Sequence, residues 1–354
     1  MFRVWKQQKF VGGRILKTGI AVTITAAVCY MLSWPAMFAV ITAIVTIEPT
    51  AKDSIRKAFV RFPASAIGAA YSVLFTFLLG DSPLSYTFVA LGTIYTCYKL
   101  RLHAGILVAT LTGVAMISTV HDEYVVSFLV RLGTTTIGLV VSSLVNLLVF
   151  RADYTTDIQS KMKKLLSDIG DVFERRVQEI LNGQPLHRGT RAAFQSIRHS
   201  LESIETLGQY QKSEWRYHRF DREEARAFHF TFKKFAIMQQ FVYQLGTMFA
   251  LPTIRITDRD TSQAVLRLVA LVRNLDEESA DKADAYRMVN EQLLQRVHDI
   301  QSTSAGNRNE HGPGSLVPQE TLYLFIWIAV LDLLEEWKQL EQREARYKER
   351  IALS

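Results

Sequence analysis

The stretch YVVSFLVRLGTTTIGLVVSSLVNLLVF, residues 124–150, decides the fold. It exceeds the ~20 apolar residues that a helix needs to cross a bilayer, and the composition changes abruptly after it. One charge, Arg131, interrupts it. On a helix Arg131, Thr134, Gly138, Ser142 and Asn146 fall at offsets 0, 3, 7, 11 and 15, along a single face. A polar stripe inside a bilayer requires protein partners or water. The stretch therefore reads as a last span with a working inner face, leading into a domain of another kind.

Upstream of it, apolar runs fall at about 18–34, 36–50, 62–80, 84–98 and 104–120, which makes six spans in all. Three of the connections are tiny and carry no Lys or Arg: 33–35, 80–83 and 121–123. The opposite side carries Arg3, Lys6, Lys9, Arg14 and Lys17, then Lys52, Arg56, Lys57 and Arg61, then Lys99 and Arg101, and finally Arg151. By the positive-inside rule this places both termini in the cytoplasm of a cell whose inner membrane the chain crosses. The first run follows basic residues as a signal sequence does, but further spans follow it directly, so it reads as an uncleaved first helix.

The second run is short, from Ala36 to Ile47 between Pro35 and Glu48. Glu48 is thereby a candidate intramembrane carboxylate able to carry a proton. The alternative is a carboxylate that ends the helix and pairs with Lys52 or Arg56. The third run holds Ala64, Gly68 and Ser72 at four-residue spacing, a small-residue face for close helix packing. The hydroxyls of Thr110, Thr112, Ser118 and Thr119 in the fifth can bond back to their own helix and need line nothing.

Arg131 stands about seven residues into its span. Burying an Arg at a helix centre costs at least ~2.5 kcal/mol on insertion scales. Such a residue either reaches the outer headgroup region, here beside Asp122 and Glu123, or faces a hydrated cavity, where its charge favours an anion. Small residues on the same face argue for packing; the charge argues for water.

The first 151 residues hold 13 basic and 5 acidic side chains, net +8, and the remainder 28 and 29, net −1. The basic excess thus lies in short connections between apolar runs rather than on a soluble face, which argues against nucleic-acid binding. Both cysteines, Cys29 and Cys97, sit in apolar runs, so the second half has no disulfide framework or cysteine metal site, in keeping with a reducing compartment.

From residue 152 the pattern is that of an antiparallel helical bundle in the cytosol. Ile158, Met162, Leu165, Ile169, Val172, Val177 and Ile180 recur at helical spacing in a helix that follows the sixth span with hardly a break. Further helices are expected at about 189–213, 221–251, 258–276 and 279–302, with Asp258 or Asp260 capping the fourth of the bundle. The run FHFTFKKFAIMQQFVYQLGTMFAL has the spacing of a central bundle helix. Residues 303–317, TSAGNRNEHGPGSLV, read as a linker, and a last helix opens at Pro318. Its run TLYLFIWIAVLDLL is too short for a span and belongs to the bundle.

His187, His199, His218 and His229 are scattered, with no metal-ligand spacing, and His218 with Arg216, Arg219 and Arg222 reads as a solvated face. The sequence carries no Gly-rich phosphate loop, HExxH, GxSxG or CxxC. No cofactor, metal or catalytic residue is proposed, and an enzyme is not expected.

The block PAMFAVITAIVTIEPTAKDSIRKAFVRFPASAIGAA, with its Pro-Thr turn, basic connection, Arg61 and Gly68, resembles the second and third spans of the fusaric-acid-resistance-like, or aromatic acid exporter, superfamily. RLGTTTIGLVVSSLVNLLVF is similar to that superfamily's sixth span, and six spans followed by a cytosolic helical domain match its bacterial branch. The resemblance implies export of small, often aromatic, organic acids and a distant likeness to plant malate channels, which are dimers of six-span subunits. Larger exporters carry two membrane modules in one chain, so a homodimer would supply the second module here.

The expected protein is all-α, with a six-helix transmembrane domain at 1–151 and a cytosolic bundle at 152–354. Its leading function is outward transport of an organic anion. Arg131, Thr134, Ser142 and Asn146 would line the path, Lys17, Arg61, Lys99 and Arg101 would gather anions at the cytoplasmic mouth, and Glu48 would carry a proton. The rivals are a passive anion channel gated by the bundle, and a membrane-anchored protein whose bundle binds a cytosolic partner.

Overall fold

The structure is a computed structural model, described here for residues 9–119, 124–149, 153–215, 222–275, 282–307 and 319–352. Arg3, Lys6, Asp122, Glu123, Arg151, the face around His218, the join between the sixth span and the bundle at 150–152, and the linker from 308 through Pro318 lie outside the described residues. Among the described residues the regular structure is entirely helical, and the chain divides into two compact units. One comprises Met1–Asp153 with Gln209–Arg219, the other Tyr154–Gly208 with Phe220–Ser354.

The first unit holds the six apolar helices in the expected order: α1 (Lys9–Met31), α2 (Ala36–Thr46), α3 (Ala51–Leu79), α4 (Pro83–Lys99), α5 (Ile106–Met116) and α6 (Tyr124–Leu148). Within them Gly13–Met31, Ala51–Leu79 and Tyr124–Leu148 are long and apolar enough to cross a membrane, and α2 and α5 are short. Three-residue 3₁₀ turns at His103–Gly105 and Ile117–Thr119 lengthen α5 at both ends. Helix α3 begins eleven residues before the apolar run it carries. Its basic first part is made of helix formers, and Thr50 caps it by accepting from the Asp53 amide, so the expected connection is itself helical.

Small residues bring these helices together. A Cβ on Gly68 would strike the Ala109 carbonyl of α5, and one on Gly113 would lie 2.9 Å from the Gly68 carbonyl, so α3 and α5 touch backbone to backbone. Ala64 and Ser72 of the same face are buried. Thr110 and Thr112 donate to the carbonyls of Ile106 and Val108 four residues back, as their position in a membrane helix favours.

The second unit contains α7 (Thr155–Leu181), most of α8 (Arg188–Glu214), α9 (Arg222–Ala250), α10 (Arg259–Arg273), α11 (Lys282–Asn307) and α12 (Gln319–Ala352). The seven apolar positions expected on α7 are all buried. So are Phe235, Met238, Phe241, Leu245 and Met248 of α9 and Tyr323, Leu324, Trp327, Leu331 and Leu334 of α12, whose Asp332 faces out. Asp258 is the cap of α10. It accepts from the Thr261 backbone and hydroxyl, and these bonds hold its carboxyl below the ordinary range. The linker starts later than expected, because 303–307 continue α11. Ser, Thr and Ala extend an existing helix at little cost, and Gly306 is tolerated at its end.

Buried Arg176 ties this unit together: it donates to the Met248 carbonyl (3.1 and 3.2 Å) and to Glu179 Oε2 (3.1 Å), while Glu179 Oε1 accepts from Thr190 (2.6 Å). Every charge there has a partner, as a buried ionic group requires.

Candidate functional site

Between α2 and α3 the backbone unwinds. Ile47 and Thr50 are extended and flank Glu48 and Pro49. An unwound stretch between apolar helices must find other partners for its carbonyls, and here side chains supply them. Arg61 Nη1 donates to the Val45 carbonyl (3.1 Å), Ser54 Oγ to Thr46 (2.8 Å) and Arg14 Nη2 to Ile47 (3.1 Å). The Asn146 amide reaches the carbonyls of Glu48 (3.1 Å) and Thr50 (3.2 Å) and Ser54 Oγ (2.7 Å). Lys17 Nζ in turn holds Asn146 Oδ1 at 3.0 Å. Lys17 and Asn146, from α1 and α6, are thus brought together on the broken segment.

Glu48 sits in the same knot. It pairs with Lys57 (2.9 Å) and Arg61 (2.8 Å), rather than with Lys52 or Arg56. The reason is the early start of α3, which places residues 57 and 61 one turn apart on one face and turns 52 and 56 away from it. Arg61 also donates through Nε to the Ala104 carbonyl (3.2 Å), so its guanidinium braces the break against the turn that precedes α5. Lys99 and Arg101 are exposed at the end of α4, apart from this cluster.

The other end of the stripe is different. Arg131 is 2% exposed, and its guanidinium lies 4.3 Å from the centre of the Phe38 ring. Its Nη2 makes one long bond, to Ser65 Oγ at 3.4 Å, and Ser65 in turn meets Thr135 Oγ1 at 3.2 Å. Nε and Nη1 have no hydrogen-bond partner. Beside them is a cavity of about 200 Å³ whose walls are largely apolar: Pro35, Met37, Phe38, Met116, Val126 and Val130. The guanidinium thus keeps two donor nitrogens unmet next to a largely apolar cavity that Arg131 lines.

Thr134 lines the same cavity as Arg131, and beyond it the stripe is closed. Thr134 donates to the Arg131 carbonyl (3.0 Å) and Ser142 to the Gly138 carbonyl (2.6 Å), so both hydroxyls are spent on their own helix. A Cβ on Gly138 would strike the Ala39 carbonyl, which means that α2 lies directly on this part of α6. Packing and charge thus divide the stripe: small residues seal its middle, and the arginine opens its end. Sequence reading overlooked Phe38, Ser54, Ser65 and Thr135. Phe38 lies in an unbroken apolar run, and the hydroxyls gain meaning only from the helices opposite.

A buried, incompletely paired cation and a braced helix break, both in an all-α polytopic unit, are features of membrane transporters that handle anions. The model of "Aromatic acid exporter family member 1" matches residues 9–149, the region that contains both. The chain is thus a membrane transporter of the aromatic acid exporter kind, a family of exporters rather than of enzymes.

Similarity extends into the second unit. Over 98% of both chains it is 36% identical to a UPF0421 protein of Bacillus thuringiensis subsp. konkukian. A UPF0421 protein of Oceanobacillus iheyensis is 37% identical over 94% of this chain and 96% of its own. One of Staphylococcus haemolyticus is 43% identical over 61% and 66% respectively. The chain belongs to the aromatic acid exporter family, among its UPF0421 relatives.

Proposed function

We propose that the protein exports small organic acids, aromatic ones among them, across the cytoplasmic membrane, and that the Arg131 cavity receives the carboxylate. The observation that carries this reading is a buried guanidinium with two unmet nitrogens on the wall of an otherwise largely apolar cavity. A carboxylate grips a guanidinium bidentately along Nε and Nη2 or along Nη1 and Nη2, so it meets one of the unmet nitrogens together with Nη2, whose present bond to Ser65 is long, while an apolar body matches the walls. On this reading residues 1–151 are the transport domain, 152–354 form a cytosolic bundle, both termini are cytoplasmic, and a homodimer supplies the second membrane module.

A passive anion channel is the second reading, and Glu48 favours it. A carboxylate whose two oxygens are held at 2.8 and 2.9 Å by two cations is a poor carrier of protons. Proteoliposomes preloaded with labelled benzoate test both. Efflux is expected from the unaltered chain and a tenfold or greater loss with Arg131→Gln; equal efflux from the two removes Arg131 from the path. Flux that follows the benzoate gradient and ignores an imposed pH gradient selects the channel, and flux that requires the pH gradient selects coupled export.

A further inference from the structure

A second opening lies between α3 and α6. It is a groove of about 470 Å³ walled by Ile55, Phe59 and Phe62 of α3 and by Val140, Leu144 and Leu147 of α6. Phe59 is 79% exposed, so the groove opens outward rather than into the helices. Ser54 meets Asn146, and Ser65 meets Thr135. The two helices therefore run antiparallel, and the groove extends from the level of Leu147 to that of Thr136, which also lines it. Over that interval α6 rises about 16 Å, close to one leaflet of a ~30 Å hydrocarbon core.

The Leu147 end is charged. Lys52 and Arg56 come three residues before Ile55 and Phe59 and share their side of α3. Lys57 and Arg61 are taken up by Glu48, whereas Lys52 and Arg56 make no ion pair among the described residues. The helix start itself is occupied: Thr50 accepts the Asp53 amide, and Glu214, in the Gln209–Arg219 segment of the same unit, accepts the Ala51 amide at 2.7 Å. The free charge at this end is thus that of the two side chains. One turn inside it, Ser143 Oγ is buried in the groove wall with no hydrogen-bond partner, while the Thr136 hydroxyl is spent on the Leu132 carbonyl.

Two free cations, a hydroxyl one turn deeper and an apolar channel one leaflet long follow the order of phosphate, ester and tail in a phospholipid. Basic side chains beside a span favour anionic headgroups over neutral ones. We propose that this groove is a site for one anionic phospholipid, with its phosphate on Lys52 and Arg56, an ester oxygen on Ser143 and one tail along the α3–α6 channel. With the termini in the cytoplasm, the lipid belongs to the inner leaflet. The site depends on the chain spanning a membrane, not on what it exports.

The experiment places the full chain in nanodiscs of phosphatidylcholine with a minor share of phosphatidylglycerol, the tails of one lipid or the other being brominated. Phe59→Trp reports on the groove, and its fluorescence is corrected for the native tryptophans with the unaltered chain. Brominated phosphatidylglycerol is expected to quench the introduced indole about fivefold or more strongly, mole for mole, than brominated phosphatidylcholine. The preference is expected to vanish when Lys52→Gln and Arg56→Gln are added, and to shrink at about 1 M salt. Ala58→Phe, which fills the groove and spares both cations, is expected to abolish it as well.

Equal quenching by the two lipids, or a preference that survives loss of the cations or filling of the groove, overturns the proposal. So does an indole quenched by neither, as when a second copy of the chain covers the groove. Benzoate efflux from proteoliposomes of the same lipids keeps this separate from the transport reading. A headgroup preference without efflux leaves the lipid site and sinks export; efflux without a preference does the reverse.

Discussion

At the scale of single residues, Arg131 shows a group kept against the interests of stability. Its guanidinium is almost wholly buried and only weakly bonded. The Phe38 ring offsets a part of the burial cost. Replacing such an ion by an apolar side chain of similar length commonly stabilises a protein. We therefore expect Arg131→Met to raise stability by on the order of 1–3 kcal/mol, read as a higher midpoint of thermal unfolding in detergent, while benzoate efflux falls. A lower midpoint would mean that the guanidinium is structural. The sequence announced this residue through its charge alone. That the charge faces a cavity became visible only when α2 supplied Phe38 and α3 supplied Ser65.

At the scale of elements, the break between α2 and α3 is held by side chains from α1, α3 and α6. Arg61 is the central brace, since it joins the Val45 and Ala104 carbonyls to the Glu48 carboxylate. Removing it leaves a half-buried carboxylate with one cation fewer and two carbonyls unmet. Arg61→Ala is expected to cost about 3–5 kcal/mol. Adding Glu48→Gln should recover part of that loss, because the stranded charge goes with it. A double-mutant cycle on unfolding midpoints measures the coupling, expected at about 0.5–3 kcal/mol; strictly additive losses would show that the two side chains act independently. Charge patterning pointed to Arg61 as a collector of anions, a reading that depends on the residue being free. What the pattern does not contain is the helical start at Ala51, which rotates residues 57 and 61 onto Glu48.

At the scale of the molecule, the six apolar helices and the bundle helices were legible because burial periodicity is a local signal. Residues 124–150 announced α6 by composition, and the spacing from Ile158 to Ile180 announced α7. The candidate site was legible in part. Lys17, Glu48, Asn146 and Arg131 stand out as polar residues in or beside apolar runs. Their sorting into a braced break and an open cavity was not, since it depends on contacts across 66 to 129 positions of chain. Glu214 carried no signal at all in a helix rich in charges.

The unwound residues 47–50 also decide how the chain fits the thickness of a membrane. Helix α2 has 11 residues, which at 1.5 Å each span only about 17 Å. The chain then bends at Pro49 and Thr50, so α2 with its break stays short of the ~30 Å of a hydrocarbon core. The break is therefore the place where a mismatch between this short helix and the bilayer is taken up. A thicker bilayer draws the segment taut and a thinner one lets it slacken, at a fraction of a kcal/mol per Å of mismatch. Benzoate efflux is accordingly expected to peak in lipids of intermediate tail length and to fall on either side when the tail length in proteoliposomes is varied. A flat response would show that the segment does not bear the membrane's load.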